Sequence, residues 1–569
     1  MENSPIQIKG HDAPRRRGSS SLLRGHERMR VVRPDPLLAL WLADPQQTQR
    51  LDTTLADALQ RAAVQWPDRE AIVTAREPGI DAVRWTYQDL DRMASQLAAA
   101  LLSNGYRRGD RIAVWGPSEP QWILLEYAIS RAGLVIVTLN PLYKQAELLF
   151  ALRAVEARGI FHADLVSGVA PGEVIRSIAA ELPHLIGIHS FSDGVSRLIK
   201  SAPQNSVYEP TDPDSLFMIQ FTSGTTGSPK AAQLSHSAIM TSARNSYERY
   251  GVLPGDRICN GFPLFHVGGS GFATPGAVLC GATLLPLRVF KAERALELME
   301  QERCRVFFGV PTMMIAMLED PSFGRRDLSA LELLVIGGAT LPAELIASWE
   351  RQFGAQVING YGQTETCGTT AGVSPGDPAE KKATTSGVPF AGVSLKLIDK
   401  TGVVVPHGVP GEVCYQGPGR MIGYRNSAAE ADGIDADGWL HSGDLATMDA
   451  EGYLRIVGRA GDMIIRGGEN LSPAEIEGLI LQYPGVSQVA VIGVPDRKYG
   501  EEACAVVKLA VGASASAEEL RAWCLERVSR WKVPRYIVFV DGLPLTASGK
   551  VKKFVLREQM LRILSPEGH

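Results

Sequence analysis

From Leu51 onward the chain switches between two apolar patterns. In TLADALQRAAVQWP (54–67) the apolar residues recur at helical spacing and stop before Pro67, which predicts a helix. Between such stretches lie short apolar runs with strand character: RIAVWG (111–116), LVIVTLN (134–140), SLFMIQF (215–221), RVFFGV (305–310), LELLVIGG (331–338) and AQVINGYG (355–362). In LELLVIGGATLPAELIASWERQFG (331–354) a buried strand ends in two glycines; Pro342 suits the first helical turn and Gly354 the C-terminal cap. Repeated strand-then-helix units predict an α/β fold, a large multi-subdomain region of mostly parallel sheets covered by helices. Ligands gather at the carboxyl ends of strands in such sheets, and the Gly-rich segments fall there.

After about residue 460 the texture changes. AEIEGLILQYPGVSQVAVIGVPDRKYGEEACAVVKL (474–509) predicts a helix, two strands and a loop, and SAEELRAWCLERV (516–528) a further helix. This suits a separate small α+β C-terminal domain. The join is expected at GRAGD (458–462), giving a large domain over 51–459 and a small one over 460–569. Residues 1–50 differ: APRRRGSSSLLRGHERMR (13–30) is rich in Arg and Ser without sustained apolar period. They are expected to be a disordered extension, since no apolar segment follows Arg15–Arg17 to make a secretory signal. No internal repeat is visible.

Composition narrows the classes. The chain has 569 residues, 45% of them hydrophobic, with a net charge of -4, so no global basic field draws it to nucleic acid. The seven cysteines form no C-x-x-C pair, which argues against structural zinc or a disulfide framework and for a reducing compartment. No run reaches the length of a membrane span. A cytoplasmic location is expected.

The chemistry concentrates in a few segments. In FTSGTTGSPK (221–230), Gly224 and Gly227 permit close backbone approach to an anion; Thr222, Ser223, Thr225, Thr226 and Ser228 add hydroxyls, and Lys230 adds charge. A P-loop fails here: Pro229 precedes the lysine and Ala231 follows it. A ligand-free Gly/Ser loop is the bland alternative. NGYGQTET (359–366) would set Thr364 and Glu365 beside a strand end, where a carboxylate next to phosphates suits Mg²⁺. DGWLHSGDLA (437–446) ends a loop with Asp444, able to accept from ribose hydroxyls or simply to serve a turn. GRAGDMIIRGGEN supplies Arg459 and PLTASGKVKK supplies Lys550, each an ordinary surface cation when taken alone.

In this order and at these separations the motifs resemble the adenylate-forming superfamily of acyl-CoA synthetases, aryl-CoA ligases and luciferases, from roughly Leu51 to the C-terminal tail. Their texture is nearest to medium-chain fatty acyl-CoA synthetases. The resemblance implies ATP- and Mg²⁺-dependent conversion of a carboxylic acid to an acyl-adenylate with release of pyrophosphate, then transfer to the thiol of coenzyme A. It implies that Thr222, Ser223, Gly224, Thr225, Thr226, Gly227 and Lys230 wrap the β- and γ-phosphates. Gly338, Ala339, Gly360, Tyr361 and Gly362 would border the nucleotide, with Tyr361 on the adenine. Thr364 would contact the α-phosphate, Glu365 would hold Mg²⁺, and Asp444 with Arg459 would hold the ribose. Lys550 is similar to the family's adenylation lysine, carried on a C-terminal lid that rotates between the two half-reactions. Two positions depart from the family: Gly461 stands at the hinge, where relatives commonly carry Asp or Lys, and Ala231 where they often carry Gly.

FPLFHVGGSG (262–271) resembles the segment lining the acyl channel, with His266 at its mouth, and VIGGA (335–339) the opposite wall. An apolar lining with glycines favours a medium-chain fatty or arylalkanoic acid over an amino acid. The alternatives are delivery to a carrier-protein phosphopantetheine or another acceptor and, more remotely, a non-catalytic ATP-binding scaffold. No nucleic-acid partner is expected, and the assembly is expected to be a monomer or homodimer.

Overall fold

The computed structural model describes residues 37–44, 50–77, 81–166, 168–204, 206–222, 229–338, 343–425, 433–466, 469–496, 498–546 and 549–564. These residues form four sheets. The parallel part of a seven-stranded sheet is Arg111–Trp115, Val135–Leu139, Gly159–His162, Gly187–Ser190 and Leu216–Thr222. A nine-stranded sheet has a parallel core of Glu70–Thr74, Arg257–Asn260, Thr283–Pro286, Val306–Gly309, Leu333–Gly337 and Gln356–Tyr361. The expected α/β architecture holds: every strand named from an apolar run is a strand here, and most crossovers are helices.

Helix boundaries follow local chemistry. Leu55–Gln65 and Tyr87–Ser103 start in capping boxes, Thr54 with Asp57 and Thr86 with Asp89, each cap contributing about 1 kcal/mol. Pro120–Arg131, Pro311–Glu319 and Pro473–Leu481 open on proline, whose missing N–H is not needed in a first turn. Parallel strands covered on both faces read as continuous apolar runs for the same reason that Val306–Gly309 is wholly buried. Phe308 there is 0% exposed, and burying such a ring is worth roughly 1.5–3 kcal/mol.

A third sheet is antiparallel: Leu40–Trp41, Ser394–Ile398, Gly411–Gln416, Leu440–Met448 and Leu454–Arg459. Its first strand corrects the expectation for residues 1–50. Leu40 and Trp41 pair with Lys396 and Leu395, and Ala39 is buried completely, so Leu37–Asp44 is part of the folded body. Residues 1–36 and 45–49 lie outside the described residues.

The fourth sheet belongs to the C-terminal region: Ile464–Arg466, Glu469–Leu471, Val486–Asp496, Gly500–Leu509 and Tyr536–Phe539. Helices Pro473–Leu481, Ala517–Leu525 and Lys553–Leu564 accompany it, and it has its own two apolar clusters, around Val491 and around Val506. No helix among the described residues is long and apolar enough to cross a membrane.

Candidate active site

The carboxyl ends of the large sheets bring the motif residues together. Thr222 ends Leu216–Thr222 and pairs with Lys230, the first residue of the antiparallel strand Lys230–Ser235. The intervening segment therefore joins strand to strand, whereas a P-loop joins strand to helix. Ser223, Gly224, Thr225, Thr226, Gly227 and Ser228 lie outside the described residues. Ala231 adopts strand geometry and is 5% exposed, its methyl packed in a core cluster with Val137 and Ile219.

One carboxylate organises the next group. Asp444 is 5% exposed. Its Oδ1 accepts from Arg459 Nε at 2.8 Å, and its Oδ2 accepts from the Tyr361 hydroxyl at 2.8 Å and from Gln363 Nε2. Gln363 also donates to the Ser442 carbonyl at 2.9 Å. Burial, and then the Asp444 carboxylate, push the Tyr361 phenol well above 10, so it remains a donor. Asp444 does not end a loop, as the turn-like SGD suggested. It lies inside Leu440–Met448, directly opposite Arg459 on the neighbouring strand. Gly443 before it takes a φ of +70°, and its N–H donates to Glu412 Oε1 at 3.1 Å. A left-handed residue and a register shift at Leu445/Ala446 aim the carboxylate inward.

Gln356–Tyr361 runs into a 3-10 turn, Thr364–Thr366, which sets Thr364 and Glu365 just past the strand end. A methyl on Gly360 would stand 2.1 Å from the Tyr250 oxygen, and one on Gly362 would stand 2.2 Å from the Gly368 carbonyl, so neither position admits a side chain. Glu365 Oε1 accepts from the Tyr424 hydroxyl at 2.7 Å, and the Lys230 ammonium stands 4.9 Å from the Tyr424 ring centroid. No group of three or more His, Cys, Asp or Glu able to hold a metal occurs among the described residues. A divalent ion here would need ligand oxygens beside Glu365, which is how Mg²⁺ is usually held with phosphates.

Lys550 reaches this rim from the C-terminal region. Its Cε lies 3.2 Å from where a side chain on Gly338 would begin. Gly338 follows Leu333–Gly337 with a φ of +86°, so it both turns the chain and leaves room for the lysine. Ala339 lies outside the described residues. A methyl on Gly549 would lie 3.0 Å from Thr312 Oγ1 and 3.1 Å from Val310, so the lysine turn is seated against the large region. By surface area Lys550 is exposed, yet the cleft walls gather around its ammonium. Burial lowers its pKa from 10.5, Arg459 acts in the same direction, and Asp444 and Glu365 oppose.

His266 precedes a π-helix, Val267–Ala273, a distortion frequent at functional sites. Its Nδ1 accepts from the Gly268 N–H at 3.2 Å, leaving Nε2 to carry the proton. Burial, and secondarily Lys550, lower its pKa to about 3, so the ring is neutral. Phe262, Phe272 and Phe308, from the same stretch and from Val306–Gly309, form a contiguous aromatic group with Tyr247 and Tyr250, in which Phe262 and Phe308 stack and the other pairs meet edge-on or tilted. Gly461 sits in the turn after Arg459, with ordinary φ and nothing within 4 Å of an added methyl.

Two site residues escaped the sequence reading. Gln363 stood inside the quoted NGYGQTET and was legible as a polar neighbour of Tyr361. Tyr424 carried no motif signal.

Comparison with known proteins agrees with this geometry. The model of the AMP-binding enzyme family matches residues 59–425, and that of the AMP-binding enzyme C-terminal domain matches 475–550. The putative acyl-CoA synthetase YngI of Bacillus subtilis is 34% identical over 544 residues, covering 90% of this chain and 98% of that protein. The mitochondrial medium-chain acyl-CoA ligase ACSF2 of Mus musculus is 34% identical over 557 residues, covering 90% of this chain and 88% of that one. The crystal structure of the anthranilate CoA ligase AuaEII in complex with anthranoyl-AMP superposes with a TM-score of 0.82 at 28% identity, covering 90% and 98% of the two chains.

Proposed function

This chain belongs to the AMP-binding enzyme family, and on that premise we propose how its residues divide the work of an AMP-forming acid–thiol ligase. It activates a carboxylic acid with ATP and passes the acyl group to coenzyme A. In the first step a carboxylate oxygen attacks the α-phosphorus while the bond from that phosphorus to the bridging oxygen breaks, releasing pyrophosphate. In the second, the thiolate of coenzyme A attacks the acyl carbon and AMP leaves with the electron pair.

In our reading Asp444 receives the ribose hydroxyls, supported by Arg459 and Gln363, while the ring of Tyr361 borders the adenine. Thr222, Lys230 and the segment between them take the β- and γ-phosphates. Thr364 faces the α-phosphate. Glu365 would hold Mg²⁺, which screens phosphate charge when bound. Lys550 bridges the carboxylate and the α-phosphate as negative charge gathers there. At 4 Å and an effective dielectric near 20, such a cation is worth about 4 kcal/mol per unit charge. The single observation that carries this reading is the Lys550 ammonium brought to Gly338, on the same rim as Glu365 and Asp444, from a region that begins after Arg459.

His266 is neutral throughout the physiological range and serves as an Nε2–H donor at the acyl entrance rather than as a base. The aromatic group behind it supports a medium-chain fatty or arylalkanoic acid as substrate. Residues 460–569 act as a lid turning about Gly461. Seven free thiols accord with a cytoplasmic location; fractionation and imaging of the tagged protein decide between that and an organelle.

Carboxylate-dependent ATP–pyrophosphate exchange over a panel of acids tests the reading. Medium-chain and arylalkanoic acids should exchange and amino acids should not. Absence of exchange with every acid would leave the scaffold alternative. Mass spectrometry of products made with coenzyme A against a phosphopantetheinylated carrier protein identifies the acceptor.

A further inference from the structure

Tyr424 stands between two charges that the reaction must use separately. It ends the short strand Gly423–Tyr424, which pairs antiparallel with Ala232 and Gln233 on the strand that begins at Lys230. Its hydroxyl donates to Glu365 Oε1 at 2.7 Å, and its ring face carries the Lys230 ammonium at 4.9 Å. Among the described residues no ion pair joins Lys230 to Glu365, although both touch the same side chain.

The tyrosine is itself pinned. The Arg425 N–H donates to the Ala231 carbonyl at 2.9 Å, and the Arg425 guanidinium pairs with Glu156 at 2.7 Å. On the other side the Met421 N–H donates to the Glu365 carbonyl at 2.9 Å, tying the segment before Tyr424 to the carboxylate's own backbone. Both contacts of the ring thus start from fixed main chain.

Opposite charges this near a shared group attract, and a Lys230–Glu365 pair would neutralise both. The neutral ring face satisfies the cation and the neutral hydroxyl satisfies the carboxylate, so neither needs the other. We propose that Tyr424 is a positioning residue that keeps Lys230 and Glu365 apart, presenting one to nucleotide phosphate and the other to the divalent ion. This rests on the assignment of Lys230 and Glu365 to phosphate and metal made above.

Calorimetric titration of the full-length protein with ATP, with and without Mg²⁺, tests it without relying on turnover. Tyr424→Phe keeps the ring and loses the hydroxyl. It should leave metal-free ATP affinity within about twofold and raise the Mg²⁺ concentration for half-maximal binding several-fold. Tyr424→Leu loses both contacts and should weaken metal-free ATP binding about tenfold. Adding Glu365→Gln to Tyr424→Leu should restore most of that loss, because the competing carboxylate charge is gone. If Tyr424→Leu is too unstable to purify, Tyr424→Phe against Glu365→Gln carries the test through the same Mg²⁺ dependence. Equal metal-free and metal-dependent losses in Tyr424→Phe, or no restoration in the double variant, would overturn the proposal. Lys230→Ala and Glu365→Gln proteins that bind Mg·ATP like wild type would instead overturn the underlying assignment.

Discussion

On the proposed assignment, the ribose end and the phosphate end of the nucleotide site are built differently. At the ribose end Asp444 is buried and already engaged by Arg459, Tyr361 and Gln363. At the phosphate end Lys230 rests on a neutral ring, Glu365 holds a neutral hydroxyl, and Lys550 lies by Gly338 with no ion pair among the described residues. The first end is pre-organised by paired charges. The second keeps its charges free of ion pairs among the described residues, which in the proposed mechanism lets them answer phosphate and carboxylate charge that exists only with substrates and grows in the transition state. A site that neutralised those cations in advance would bind ATP less well and accelerate nothing.

Removing the charge at the phosphate end should have the largest effect. Lys550→Ala should lower acid-dependent pyrophosphate exchange about a hundred- to a thousand-fold. In the wild type, burial makes the ammonium easier to deprotonate, so the protonated, active form is lost as pH rises through a value below 10.5. Exchange should therefore decline on the alkaline side before an ordinary lysine titrates. Asp444→Asn probes the other end: it keeps the shape but strips Arg459 of its counter-charge. The ATP KM should rise about ten- to a hundredfold, with the KM for coenzyme A unchanged; a pure kcat effect would blur the contrast between the ends. Gly461→Pro fixes φ near −65° at the join and should slow thioester formation about tenfold while sparing exchange. Gly461→Ala, which meets nothing within 4 Å, should be close to neutral. Smallest of all, Ala231→Gly should lower the unfolding midpoint slightly through a lost buried methyl and a looser strand, leaving the ATP KM within about twofold.

The apolar runs made the parallel sheets legible because strands buried on both faces cannot hide their composition. Lys230, Glu365, Asp444, Arg459 and Lys550 were legible as family motifs. Less visible was whatever depends on pairing across long separations. Leu40–Trp41 is a two-residue strand, too short for any period, and its partners lie in Ser394–Ile398. Tyr424 meets Glu365 across 59 residues and Gln363 meets Asp444 across 81. SGD read as a turn because a glycine flanks Asp444; that glycine is left-handed, but it bends a strand rather than ending one. Ala231 appeared to be a departure in a loop; in the fold it is a core residue on a strand.

In the proposed mechanism Lys550 serves adenylation and not thioester formation. Lys550→Ala protein supplied with a preformed acyl-adenylate and coenzyme A tests it most directly, with single-turnover thioester formation as the readout. The rate should lie within a few-fold of wild type although exchange is nearly abolished; a loss as deep as that of exchange would contradict the claim.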